Sequence, residues 1–83
     1  MSKTEISRSI RTWVRDILPS LNGTYTLKEL YLHLSGLYND QDQWDTIYTR
    51  RGIGDYMVRM EVLRSRRIHD NVTRVTPGVY CFN

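Results

Sequence analysis

The chain has one cysteine, Cys81, two histidines, His33 and His69, and two prolines. Each scarcity excludes something. A lone thiol forms no internal disulfide and suits a reducing compartment. The two histidines and the cysteine show no zinc-ligand spacing, so no metal site is expected. No stretch approaches the ~20 apolar residues that a membrane span needs. Met1-Ser2-Lys3-Thr4-Glu5 has no apolar run behind a basic start, so a signal peptide is not expected and a cytoplasmic location is. There is no repeat, low-complexity tract or linker. Arg51-Gly52-Ile53-Gly54 lacks the third glycine and the preceding strand of a phosphate-binding loop. The carboxylates form no acid/base constellation, so an enzyme is not expected, nor is any cofactor.

What is present suffices for one small fold. The 83 residues, 40% hydrophobic and 25% charged, make room for one domain and one modest core. The net charge of +3 is mild, but its distribution is not. Residues 1–47 hold five basic and six acidic side chains, and residues 48–83 hold seven basic and three acidic. The excess is all arginine and lies in one half. Arginine-rich asymmetry points to a polyanion, because the planar guanidinium matches phosphates and guanine edges. The competing reading is a solvated helix face.

Periodicity then orders the elements. Ser2-x-x-Glu5 has capping-box form and opens a first helix. Ile6, Ile10, Trp13, Val14, Ile17 and Leu18 make its apolar stripe, and Pro19 and Asn22-Gly23 end it. Thr24-Tyr25 is a short β-prone segment. Thr26-Leu27-Lys28-Glu29 is a second capping box, opening a helix whose buried face is Leu27, Leu30, Tyr31, Leu34, Leu37 and Tyr38. Residues 39–47 read as a polar, acidic connection. Within it Trp44 either anchors the loop onto the core, the favoured reading, or makes an exposed contact. A third helix begins between Thr46 and Gly52 and runs to about residue 65, with Ile53, Met57, Met60 and Leu63 or Arg64 as its buried side. Gly52 and Gly54 mark either its start or a close approach of another backbone. Val72-Thr73-Arg74-Val75 and Val79-Tyr80-Cys81-Phe82 alternate as a hairpin, joined by Thr76-Pro77-Gly78-Val79, which fits a type II turn.

The expected fold class is α+β in a single domain, residues 1–83, with three helices, a short strand after the first and a C-terminal hairpin. This order resembles the winged helix-turn-helix family. Thr24-Tyr25-Thr26-Leu27-Lys28-Glu29-Leu30-Tyr31 resembles the family's strand leading into helix 2. The arginine-rich third helix resembles its recognition helix, and Val72 to Tyr80, with the Pro-Gly tip, resembles its wing. The resemblance implies a small transcriptional regulator that binds double-stranded DNA. Its third helix, about 49–66, would enter the major groove, and the hairpin 72–82 would lie along the minor groove or backbone. The family's usual turn before that helix is shorter and less acidic, and many of its wings are more basic.

On that reading the contacts are Thr49, Arg50 and Arg51 at the helix start, Arg59 along it, and Arg64, Arg66 and Arg67 at its end. Arg74 on the wing and Lys28 on the second helix are expected phosphate contacts. Several have a plainer explanation. Arg50 and Arg51 answer the acidic residues Asp40, Asp42 and Asp45, and the terminal arginines complement the helix dipole. One domain this size covers little DNA, so specificity calls for a homodimer. Ile6, Ile10 and Trp13 are the expected interface unless they are core. The alternative is a protein-binding winged helix, an inhibitor or adaptor of a larger complex, in which Trp44 and Tyr48 make the contacts.

Overall fold

The computed structural model describes residues 2–83, with Arg51 described in its backbone alone. Helix α1 spans Lys3–Ile17 and is followed by a 3-10 turn, Leu18–Ser20. Strand β1 is Gly23–Thr26, α2 is Leu27–Leu37, α3 is Gln41–Ile47 and α4 is Arg51–Ile68. Strands β2, Val72–Thr76, and β3, Val79–Phe82, close the chain. The class is α+β, as expected, but among the described residues there are four helices rather than three.

The additional helix is α3, in the segment read as an acidic connection. Asp40 caps it by accepting a hydrogen bond from the Gln43 N–H at 3.1 Å. Trp44, Ile47 and Tyr48 stand at helical spacing and turn inward, while Asp42 and Asp45 stay exposed. Burial of one tryptophan and one tyrosine offsets the weak helix propensity of seven polar-rich residues.

The capping boxes divide. At α2, Thr26 Oγ1 accepts from the Glu29 N–H at 3.1 Å, and Glu29 Oε1 accepts from the Thr26 N–H at 2.9 Å. At α1, Ser2 Oγ accepts from the Glu5 N–H at 3.2 Å. The carboxylate of Glu29 is held below its ordinary pKa, chiefly by the bond from the Thr26 backbone.

The sheet is antiparallel in the order β1-β3-β2, so the last strand is the middle one. Tyr25 pairs with Tyr80, and Arg74 pairs with Tyr80 on the other side. The hairpin turn has Gly78 at φ +80°, the conformation that the third position of a type II turn requires. The register slips between Arg74 and Thr76, leaving Val75 in a bulge and 55% exposed. The Leu27 N–H donates to the Gly78 carbonyl at 3.0 Å, tying the turn to the start of α2.

One core joins helices and sheet. Ile10, Val14 and Leu18 of α1 and its 3-10 turn meet Leu30 and Leu34 of α2, Trp44 of α3, Val58 and Val62 of α4 and Phe82 of β3. Ile10 is fully buried, and Ile6 and Trp13 pack half-buried against the core, so this stripe is core. Trp44 is entirely buried among Tyr31, Tyr38 and Tyr48, with ring centroids 5.2–5.7 Å away. Its Nε1–H donates to the Tyr31 hydroxyl at 3.2 Å.

Two expected core faces are corrected. Leu37, read as buried, is 48% exposed. It ends α2, and the chain turns so that Tyr38 points inward and packs edge-on against Trp13 at 5.1 Å. On α4 the buried side is Gly54, Met57, Val58, Glu61, Val62 and Ser65, while Ile53 and Met60 are exposed. The helix is rotated from the expected face because a glycine, a glutamate and a serine lie on the inner one. Glu61 can be there because Arg15 of α1 grips it with two bonds, Nε to Oε1 at 2.9 Å and Nη2 to Oε2 at 3.2 Å.

Candidate nucleic-acid interface

Rotation of α4 decides which arginines converge. Arg59 and Arg66 are seven residues apart, close to two full turns, so they project from one side of the helix. Leu63 lies between them. Across from this side stands the hairpin, held by its bond to Leu27. Between the two runs a groove of about 360 Å³ lined by Leu27, Arg59, Leu63, Arg66, Arg74, Pro77, Gly78 and Tyr80. Three of the lining residues are arginines, and none carries a carboxylate.

The arrangement follows from local chemistry. Tyr80 is buried at the middle of the sheet and presents its ring to α4. The Arg66 guanidinium sits over that ring, 5.8 Å from its centroid, at cation–π distance. Arg74 reaches the same place because the bulge at Val75 makes it, and not Val75, the cross-strand partner of Tyr80. Leu27, Leu63 and Pro77 supply apolar walls. Arg59, Arg66 and Arg74 are exposed, and no ion pair among the described residues takes up any of the three. A groove of this kind keeps uncompensated positive charge next to low-dielectric walls, which strengthens attraction for an anion.

The other expected contacts fall elsewhere. Arg50 is the N-cap of α4, and Thr49 precedes it; both are exposed. Along an ideal helix Arg50 is about 24 Å from Arg66, so the basic residues of α4 do not form one cluster. The side chain of Arg51 lies outside the described residues. Arg64 and Arg67 are exposed but outside the groove lining. Arg66 and Arg67 occupy the last turn of α4, where positive charge also suits the helix dipole. Lys28 is exposed on the first turn of α2, next to Leu27 of the groove wall.

Of the expected contacts of a protein-binding surface, Trp44 is entirely buried, and Tyr48 is 6% exposed, at the edge of a groove between α1 and α4. The Tyr48 hydroxyl is buried beside Ser7 and Arg11 without a well-formed hydrogen bond. Burial raises its pKa, and Ser7 and Arg11 oppose the rise.

Tyr80, Leu63 and Leu27 are the site residues that sequence reasoning missed. Each reads as core by pattern. The Arg74–Tyr80 pairing depends on a bulge that a two-residue hairpin loop does not announce.

A second, apolar groove of about 260 Å³ lies between α1 and α4, lined by residues that include Arg11, Ile47, Tyr48, Ile53, Tyr56 and Met60. Among the described residues no three His, Cys, Asp or Glu side chains gather as a metal site requires. No helix among them is long and apolar enough to cross a membrane. No family model, no curated protein and no solved structure matches the chain.

Proposed function

We propose that this protein binds double-stranded DNA in the manner of a winged helix, with α4 in the major groove and the β2–β3 hairpin as the wing, and that it acts as a small regulator of transcription. The observation that carries the reading is the convergence of Arg59, Arg66 and Arg74 between helix and hairpin with no carboxylate among them. When a helix occupies the major groove and the adjoining hairpin meets the minor groove, the sugar–phosphate strand dividing the two grooves runs between them. The arginine-lined groove is where that strand would pass. The element order and the β1-β3-β2 sheet suit the same reading.

Phosphate contacts of this kind give affinity and register, and base contacts give specificity. Arg50, Arg51 and Thr49 at the start of α4 are the candidates for base edges, and Lys28 and the groove arginines for phosphates.

The test is fluorescence anisotropy of a labelled random-sequence duplex of about 25 bp, longer than two half-sites one helical turn apart, at two salt concentrations. Binding at micromolar protein or tighter that weakens steeply with salt is the expected result. Absence of binding at low salt would remove the proposal for this chain.

A further inference from the structure

The groove between α1 and α4 is separate from the one just assigned and shares no residue with it. Ile53, Tyr56 and Met60 are 42%, 63% and 43% exposed. Their i, i+3, i+7 spacing sets them in one stripe along the first half of α4. The stripe forms one wall of the groove, Ser7 and Arg11 of α1 stand on the other, and Ile47 and Met57 also line it. An apolar stripe beside an apolar groove is the shape that receives the nonpolar face of a helix. The flexible thioethers of Met57 and Met60 let it adapt to the side chains of that helix.

Charge selects the occupant. Glu61, the carboxylate of the groove, is already neutralised by its two bonds from Arg15. Arg11 enters no ion pair among the described residues and leaves the lining net positive. Arg50 caps α4 one turn before Ile53, where the positive end of the helix dipole also lies. A second copy docked by a two-fold axis would set this cationic rim against itself. We infer that the groove binds an amphipathic helical segment of a partner protein, with apolar residues at i, i+3 and i+7 on Ile53, Tyr56 and Met60. Aspartate or glutamate flanks that face and answers Arg11 and Arg50. The inference does not rest on DNA binding; it shares Arg50 and α4 with that reading, so duplex and partner helix would compete for the start of α4.

The test is selection of a displayed random peptide library, about 12 residues long to give three helical turns, against the full chain. The double variant Tyr56→Arg, Met60→Arg serves as counter-target. Both side chains are exposed, so the variant should keep the wild-type circular dichroism. Enriched peptides should carry the apolar spacing with acidic flanks and bind the variant at least about tenfold more weakly, as loss of a central anchor does. Their amide shift changes should map to Ile53, Tyr56, Met60 and Arg11. Arg11→Glu, which leaves the apolar wall intact, should turn the preference toward basic flanks. Equal enrichment on wild type and variant, flanks without acidic bias, or shift changes on another face would each overturn the inference. So would a dimer seen by sedimentation equilibrium and abolished by Tyr56→Arg, which would assign the face to a second copy.

Discussion

Gly54 of α4 lies against the ring of Tyr31 of α2, so that a methyl group at position 54 would fall 2.8 Å from Cζ and 2.9 Å from Cδ2, and closer still to Cε2. The ring has little freedom to yield, because its hydroxyl accepts the hydrogen bond of Trp44 and its centroid is 5.6 Å from the Trp44 ring. Gly36, also helical, has nothing within 4 Å of such a methyl. The same substitution should therefore have opposite signs. Gly54→Ala should lower stability by about 1–3 kcal/mol through overpacking. Gly36→Ala should raise it by up to about 1 kcal/mol through helix propensity. Urea midpoints of the two variants decide it, and a stabilising Gly54→Ala would contradict the packing described.

The proposed DNA binding makes a prediction for each groove arginine removed singly. Arg59→Ala, Arg66→Ala and Arg74→Ala should each weaken duplex binding and lower the salt slope by about one. Arg64→Ala and Arg67→Ala, outside the groove, should do less. Anisotropy titrations across a salt series give both quantities. Equal effects at all five positions would mean a diffuse electrostatic surface without a built groove.

The Arg15–Glu61 bridge predicts an asymmetry between its partners. Arg15 is 41% exposed at its side chain and Glu61 only 8%. Arg15→Ala leaves a buried carboxylate unpaired and should cost about 1–2 kcal/mol, less than a fully buried pair would because water reaches the arginine side. Glu61→Gln keeps a hydrogen-bond acceptor and returns the arginine to solvent, so it should cost less. Thermal or urea unfolding of both variants provides the comparison.

Acid should loosen the start of α2 first. Glu29 is held below its ordinary pKa by the Thr26 N–H. Such a group contributes stability above its unfolded pKa and loses that contribution as pH falls through the folded one. Protonation removes the charge that accepts the bond. The Thr26 and Glu29 amides should thus lose exchange protection below the carboxylate range while α4 keeps its own. Hydrogen exchange by NMR, compared with Glu29→Gln, would show whether fraying there follows this carboxylate.

Much of the chain was legible in advance for identifiable reasons. Thr26 and Glu29 act within three residues of each other, so a capping box is visible in sequence. Pro77-Gly78 sets its own turn. The inner face of α4 was hidden because it is built from Gly54, Glu61 and Ser65, whose burial depends on Tyr31 and Arg15 far away in sequence. Helix α3 was hidden because its stabilisation comes from where Trp44 goes and not from local propensity. The arginines of the groove were visible as residues. Their separation from Arg50 and Arg64, and their meeting at Tyr80, required the phase of α4 and the bulge at Val75.

Placing β3 between β1 and β2 also sets a schedule. Gly23 and Val72 both pair with Phe82, so neither outer strand has a ladder until the final segment arrives. A ribosome exposes β1 long before that segment and must leave it waiting. Closure of so distant a pair is slow compared with forming the helices. The helices are then expected to gather first, and the sheet, together with the arginine groove it completes, to snap into place as the last event of folding. A nascent or clipped chain lacking residues 79–82 would have no hairpin and, without Tyr80 and Phe82, an incomplete core under its helices.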